Sequence, residues 1–91
     1  MSDGPEAKIE KTVSALARSV GWLAYKWSSP GRKAVPDRMY LRNGEVIFIE
    51  FKAPGEEPDP LQIYEHRRIR KQGFKVYVID NYEDGAAIFA E

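Results

Sequence analysis

The feature that most constrains this chain is an Asn43-Gly44 pair set between two apolar segments. Both residues accept the positive φ angles of a type I′ turn, and such a pair between apolar runs is the strongest short-range signal for a β-hairpin. If these residues form the turn, the pairing of the two strands is fixed, because residues are then counted outward in step. Asp37 on the first strand is thereby placed opposite Glu50 on the second. The sequence therefore predicts a hairpin that brings two carboxylates together at its open end.

A lysine accompanies these two acids. Lys52 lies two residues beyond Glu50, so its side chain points to the same face of the sheet. Opposed side chains stand roughly 5 Å apart at Cβ, where two carboxylates repel each other unless a cation binds between them. A solvated strand after a Pro36-Asp37 turn would show the same charges. Residues 46–51 are otherwise apolar on both faces, however, and charges at the end of a covered strand are costly unless paired or bound to a metal.

Composition limits the classes of protein that fit. The 91 residues suffice for one small domain, predicted to span residues 1–91. Fourteen basic and fourteen acidic residues cancel, which argues against indiscriminate coating of nucleic acid but leaves local patches open. The absence of cysteine excludes disulfides, a thiol nucleophile and a cysteine zinc site. Without a membrane-length apolar run or a signal-peptide pattern, we expect a soluble cytoplasmic protein with no membrane partner.

Periodicity predicts an α/β fold, a mixed sheet flanked by helices, in the order α-β-β-β-α-β-α. The first helix begins near Pro5, with a capping residue before it, and ends at Gly21; a strand over residues 22–27 follows. After the hairpin, Asp59 is the predicted N-cap of a second helix and Gln62 the third position of its capping box. A strand over residues 74–80 then lies parallel to the second hairpin strand, and Asp80 or Asn81 caps a short final helix.

These residues together resemble a known family. Pro-Asp, a hairpin and Glu-x-Lys form the signature of the PD-(D/E)XK nucleases, and the finer pattern resembles the VRR-NUC branch of that superfamily over nearly the whole chain. The family usually has Gly where this chain has Ala34, which weakens the case for an unusual backbone there. The matching segments are Glu6-x-x-Ile9-Glu10, Gly21 with Lys26, Ser29-Pro30-Gly31, Val35-Pro36-Asp37-Arg38, Phe48 to Gly55, Leu61-Gln62, and Gly73 before Val76-Tyr77-Val78.

The resemblance implies a restriction-endonuclease-like core that hydrolyses phosphodiester bonds with Mg²⁺ or Mn²⁺. Asp37 and Glu50 would be direct metal ligands, and the backbone carbonyl of Phe51 would complete the shell. Lys52 would orient the attacking water or stabilise charge in the transition state.

The resemblance also assigns side chains from the two longer helices to the site. Glu6, acting through water, is preferred to Glu10 as the acid of the first helix, although a carboxylate there also suits the helix dipole. Gln62 would hydrogen-bond near the scissile phosphate or Lys52, beside its capping role. The lone His66 lies among arginines, which makes it a poor metal ligand.

Basic residues near the predicted site are expected to bind DNA, although basic runs are more often solvated faces. Lys26 is implied by the resemblance, and the others lie in a loop, beside Asp37 and along the second helix. These residues are Lys26, Arg32, Lys33, Arg38, Arg67, Arg68, Arg70 and Lys71.

The predicted function is that of a metal-dependent DNA endonuclease. Resemblance to stand-alone VRR-NUC proteins further implies a homodimer that cuts branched DNA such as four-way (Holliday) junctions, because a two-fold axis suits symmetric incisions. A non-catalytic DNA-binding module of the same fold, or a nuclease directed at flaps or RNA, remains the alternative. The many large apolar side chains also favour a dimer, with Trp22, Trp27, Tyr64 and Ile88-Phe89 as candidate contacts.

Overall fold

The computed structural model describes residues 4–90 and contains the seven elements in the predicted order. The order α-β-β-β-α-β-α is therefore confirmed. No helix in this part of the chain is long and apolar enough to span a membrane. The elements are α1 (Pro5–Ser19), β1 (Leu23–Lys26), β2 (Arg38–Arg42), β3 (Glu45–Phe51), α2 (Pro60–Lys71), β4 (Lys75–Ile79) and α3 (Tyr82–Ile88).

The four strands form one mixed sheet in the order β1-β2-β3-β4. β1 pairs antiparallel with β2, and β2 pairs antiparallel with β3. β4 then lies parallel to β3, joined to it through α2, as the sequence predicts. The carboxyl ends of β3 and β4 consequently meet at the same edge as the open end of the hairpin.

The turn between β2 and β3 sets their register. Asn43 has a φ of 50° and Gly44 a φ of 81°, the positive values that the two-residue turn requires. Arg42 pairs with Glu45, and Leu41 pairs with Val46, so the predicted count outward from the turn is confirmed.

The helices begin as local sequence dictates. α1 has Pro5 at its first position and Gly4 as N-cap, without a side-chain cap. In α3 the N-cap is Asn81, whose side-chain oxygen accepts a hydrogen bond from the next turn of the helix. The Asn81 side chain thereby satisfies a backbone N–H group that a helix end otherwise leaves without a partner.

β3 is the central, covered strand. Its odd positions Ile47, Ile49 and Phe51 lie in one apolar cluster with Val13 and Ala17 of α1. Its even positions face the side of the sheet that carries α2. Coverage on both faces, predicted from the apolar run, is confirmed.

Two of the aromatic residues expected at a dimer contact belong to the core instead. Trp22 and Phe89 are both buried, with ring centroids 5.4 Å apart in an edge-to-face arrangement. The expectation that they form surplus surface is wrong, because α3 returns over the sheet and covers Trp22. Trp27 packs against Phe48 on the other side of the sheet, with centroids 4.9 Å apart.

The contact between α1 and α3 depends on Gly85. An added Cβ there would lie 2.6 Å from Cγ2 of Val13 and 3.4 Å from Cγ2 of Ile79. Alanine is otherwise the better helix former, by about 1 kcal/mol. We nevertheless expect Gly85→Ala to lower the free energy of unfolding by about 1–3 kcal/mol, because overpacking a dense core costs that much.

Urea unfolding of Gly85→Ala and of the matched control Gly31→Ala tests this packing. A Cβ at Gly31 would meet nothing within 4 Å, so the control should change stability by less than about 1 kcal/mol. Equal stability of Gly85→Ala and the parent would contradict the close approach of the two helices.

Candidate active site

Two carboxylates converge at the open end of the hairpin. Asp37 accepts a hydrogen bond at Oδ2 from the backbone N–H of Phe51, with an N to O distance of 2.8 Å. Glu50 is only 4% exposed and accepts at Oε2 from the amide nitrogen of Gln62, at 3.2 Å. Lys52 Nζ lies 3.7 Å from the same oxygen. Oε1 of Glu50 is buried and has no hydrogen-bond partner among residues 4–90.

Burial raises the pKa values of both acids, and a neighbouring negative charge adds to each shift: Glu10 for Asp37, and Asp37 for Glu50. Burial, followed by the charge of Asp37, raises the pKa of Glu50 to about 7, and the charge of Lys52 opposes this shift. Burial also raises the pKa of Asp37, although the Phe51 N–H lowers it. A cation placed between the two groups would favour the ionised form of both.

The donors in this site suit Mg²⁺ or Mn²⁺. Oε1 of Glu50 has no hydrogen-bond partner in residues 4–90 and is a hard oxygen atom, so it can coordinate a cation. Asp37 supplies a second carboxylate. No group of three or more His, Cys, Asp or Glu side chains in the described part of the chain forms a metal cage. Two carboxylates match the usual coordination of Mg²⁺, which uses one or two carboxylates and keeps several waters.

Gln62 combines the two roles considered from the sequence. Its Oε1 accepts from the backbone N–H of Asp59 at 3.0 Å, while the Asp59 side chain accepts from the Gln62 backbone at 2.9 Å. The predicted capping box is therefore confirmed. The amide nitrogen of the same side chain remains free to donate to Glu50. The start of α2 and the orientation of Glu50 thus depend on one residue.

On α1, the structure favours Glu10 over Glu6 as the acid that influences the site. The negative charge of Glu10 is among the causes that raise the pKa of Asp37. Its Oε2 also accepts a hydrogen bond from Nε of Arg38, at 2.6 Å. The Glu6 carboxylate instead lies back against Gly4 at the helix start, where it would block an added Cβ. Glu10 is one helical turn further along α1, and this turn brings it level with β2.

The backbone before Asp37 is strained. Ala34 has a φ of 69°, in the left-handed region that favours glycine. The sequence-based view that alanine weakens the case for an unusual backbone there is wrong. The chain keeps the conformation at a cost of roughly 1–2 kcal/mol, and the buried Pro36 lies two residues further on.

Several basic residues expected to bind DNA are engaged within the protein. Arg38 pairs with Glu10, and both side chains are mostly buried. Arg70 donates to the carbonyl of Val76 at 2.6 and 3.2 Å, which ties the end of α2 to the start of β4. Arg32 donates to Glu65 on α2. The geometry does not favour Arg38 or Arg70 as DNA contacts.

Other basic residues remain at the surface. Lys33, Arg67 and Lys71 are exposed and have no ion pair or hydrogen bond with another side chain of residues 4–90. Lys26 is also exposed, and its charge lowers the pKa of Asp37, which places it close to the acids.

Two buried polar residues of α2 were not assigned to the site from the sequence. Glu65 and His66 are both buried, three and four residues after Gln62 and therefore on the same inward face of the helix. Nε2 of His66 has no hydrogen-bond partner in residues 4–90. Burial, followed by the charges of Arg70 and Lys52, lowers the pKa of His66. The helical spacing of Glu65 and His66 from Gln62 is the sequence signal from which their position on this face could have been predicted.

A mixed sheet whose hairpin end carries two acids and a lysine defines a restriction-endonuclease-like nuclease, and comparison with known proteins narrows the class. The chain is 48% identical over 79 residues to "Putative nuclease p44" of Acyrthosiphon pisum secondary endosymbiont phage 1, covering 86% of this chain and 85% of that protein. A solved structure described as "VRR_NUC domain" aligns with a TM-score of 0.87 and 31% identity, over 93% of this chain and 94% of that one. No family model matches the chain.

The chain belongs to the VRR-NUC family of nucleases. The resemblance predicted from the sequence is confirmed, as is the predicted fold class.

The raised pKa of Glu50 predicts how stability depends on pH without metal. Its pKa rises from 4.5 in a free side chain to about 7 in the fold, so the folded protein binds this proton more tightly. The resulting stabilisation is fully present below pH 4.5 and is lost as the pH rises through about 7. A shift of this size corresponds to about 3 kcal/mol.

Urea unfolding in EDTA tests this dependence. Glu50→Gln cannot ionise, so it should be more stable than the parent at about pH 8 and similar to it at about pH 4. Glu57→Gln, in the exposed loop before α2, controls for the loss of one negative charge. If Glu50→Gln is less stable than the parent at about pH 8, the ionised Glu50 carboxylate does not destabilise the fold, and the prediction is contradicted.

Proposed function

We propose that this nuclease uses Mg²⁺ or Mn²⁺ to hydrolyse phosphodiester bonds in branched DNA, such as four-way junctions, and that it acts as a homodimer. The observation that carries the proposal is the pair of half-buried Asp37 and buried Glu50, in which Glu50 keeps one oxygen without a partner in residues 4–90. Two repelling acids in an apolar setting are stabilised by a cation.

Each residue around the pair has a role in this proposal. Asp37 and Glu50 hold the metal; the Phe51 N–H orients the first carboxylate and Gln62 orients the second. A bound Mg²⁺ or Mn²⁺ would supply a water of lowered pKa and neutralise charge on the phosphate. Lys52, 3.7 Å from Glu50, is close enough to stabilise the same charge or to position the attacking water. Glu10 acts on Asp37 from α1, and Glu6 is a weaker candidate for that role.

The exposed basic residues support a DNA path beside the acids. Lys26 lies close to Asp37, and Lys33 is in the loop that leads to it. Arg67 and Lys71 are exposed on α2, four residues apart, so they share one face of the helix. Because the chain has no net charge, such a local arrangement must supply the attraction to phosphate.

An apolar sheet face supports the dimer. Leu23 and Tyr25 of β1 are 54% and 52% exposed. Their partners in the sheet are Leu41 and Met39, so all four side chains lie on one face. A groove of about 360 Å³ lies beside them and continues to Val46. α2 packs against β4 and leaves this part of the sheet uncovered. We propose this face, rather than Trp22 or Phe89, for contact with a second copy.

Substitutions in the acid pair should separate catalysis from folding. We expect Asp37→Asn and Glu50→Gln to abolish cleavage while the fold is retained, because each removes a metal ligand. Lys52→Ala should lower the cleavage rate by about a hundredfold or more while DNA affinity stays within a few-fold. Glu57→Gln serves as the matched control. The assay uses labelled linear, flapped and four-way-junction DNA and matching RNA, each with Mg²⁺, Mn²⁺ or EDTA.

Two results would contradict the proposal for the acid pair. One is full cleavage by Asp37→Asn, and the other is undiminished cleavage by the parent in EDTA. Preference for the RNA substrates would instead reassign the substrate while leaving the metal site intact.

The dimer can be tested apart from the chemistry. Sedimentation equilibrium at micromolar concentration should give about twice the chain mass of 10.4 kDa. Tyr25→Glu places a charge on the proposed contact face and should yield monomers that cut junctions poorly. Tyr82→Glu, on exposed α3 in the opposite layer, is the control and should remain dimeric. A monomeric parent that still cuts both junction strands in one encounter would overturn the dimer proposal.

A further inference from the structure

A buried acid on α2 lies between two exposed arginines. Glu65 is only 5% exposed, and its Oε1 accepts hydrogen bonds from Nε and Nη2 of Arg32, at 3.0 and 2.9 Å. Nε of Arg68 lies 3.7 Å from the same oxygen. The side chains of Arg32 and Arg68 are 44% and 50% exposed. One carboxylate therefore orients two guanidinium groups whose outer edges face solvent.

Stability alone does not account for this arrangement. Burying a carboxylate is costly, and a buried ion pair is often no more stabilising than apolar residues of similar size. One arginine would neutralise Glu65, yet two are present, so the group carries a surplus positive charge at the surface. A guanidinium has five N–H donors, and Glu65 engages only part of the set on Arg32.

Each arginine is also held by a second contact. The backbone N–H of Arg32 donates to the Ser29 carbonyl at 3.2 Å, which closes a turn in the loop before Asp37. The guanidinium of Arg68 lies over the ring of Tyr64, 5.8 Å from its centroid. A surface groove of about 560 Å³ runs along this side of α2 and includes Tyr64, Glu65 and Arg68 in its lining. The pair is thus preorganised beside an open groove.

We propose that Glu65 holds Arg32 and Arg68 as a clamp for one phosphate group of the nucleic-acid backbone, next to the phosphate that is cut. Guanidinium groups bind phosphate through paired N–H donors and gain from fixed orientation. Glu65 lies about 4.5 Å along the helix axis from Gln62, and Gln62 contacts Glu50. The clamped phosphate is therefore a near neighbour of the scissile one, and the clamp sets where along the strand the cut falls.

The clamp makes a prediction opposite to that of simple electrostatics. For a diffuse basic surface, removing a negative charge strengthens the attraction to DNA. In the clamp, neutralising Glu65 weakens binding, because an amide oxygen holds the guanidinium groups of Arg32 and Arg68 much more weakly than a carboxylate does.

The test measures the affinity of Glu65→Gln for four-way-junction DNA by fluorescence anisotropy in EDTA, where cleavage does not interfere. We expect binding to weaken by about tenfold, with the log–log salt slope smaller by about one unit per lost phosphate contact. Glu45→Gln is the matched control, since Glu45 also pairs with an exposed base, Lys75, at 3.6 Å. It should not weaken binding. Glu65→Gln binding as tightly as the parent, or more tightly, would overturn the clamp.

A second variant keeps the proposal testable if Glu65→Gln does not fold. Arg32→Lys retains the positive charge but loses the two-pronged geometry, so it should bind as weakly as Glu65→Gln. Neutral methylphosphonate groups placed singly along the strand should reveal one position that weakens the parent but not Arg32→Lys. The absence of such a position would contradict the clamp.

The clamp rests on the proposed action on DNA, and different results would contradict the clamp and the proposed action. A parent that binds none of the DNA probes overturns the proposed substrate. A parent that binds them, with variants that bind equally well, overturns only the clamp.

Discussion

The repulsion between Asp37 and Glu50 is the constraint on which the rest of the site depends. Strand register forces the two acids together, and burial in the sheet raises the cost of their charges. Three donors offset this cost in part. The Phe51 N–H donates to Asp37, the Gln62 amide donates to Glu50, and the Lys52 ammonium lies close to Glu50. Even so, one oxygen of Glu50 has no partner in residues 4–90. The fold therefore maintains a partly compensated negative centre, which is the condition for binding a cation reversibly.

The basic residues divide between holding the fold and facing solvent. Arg38 and Arg70 complete hydrogen bonds that join separate elements, one to α1 and one to β4. Arg32 joins the loop before Asp37 to α2 but keeps an exposed edge. Lys33 and Lys71 form no hydrogen bond or ion pair with another side chain in the described range. A chain without net charge can present a local positive surface in this way, because some of its acids, such as Glu10 and Glu65, are paired with arginines and mostly buried.

Local sequence determined what could be predicted. The Asn43-Gly44 turn specifies the register, and the capping box at Asp59 specifies the start of α2, because both signals lie within a few residues. The opposition of Asp37 and Glu50 followed from the turn alone. Roles in catalysis and metal binding came from the family resemblance and stay predictions.

The features that could not be predicted from the sequence depend on contacts between elements that are distant along the chain. The preference for Glu6 failed to anticipate that Glu10 is the acid level with β2, since this depends on how α1 crosses the sheet. The pattern of charges along the chain could not reveal that Glu65 on α2 accepts hydrogen bonds from Arg32, which lies in the loop before Asp37. Ala34 keeps a left-handed backbone because its surroundings hold it there, against the preference of the residue itself.

The double use of Gln62 has a consequence for how such a protein can evolve. A change of one base in its codon yields glutamate, which could cap α2 equally well, since its carboxylate also accepts from the Asp59 N–H. The same change would replace the donor to Glu50 with a third acid. The helix start would survive the mutation, whereas the added repulsion at Glu50 would disturb the site and lower stability where no cation is bound. A lineage freed from the need to cut nucleic acid could therefore lose its site at this codon while its helix remained intact.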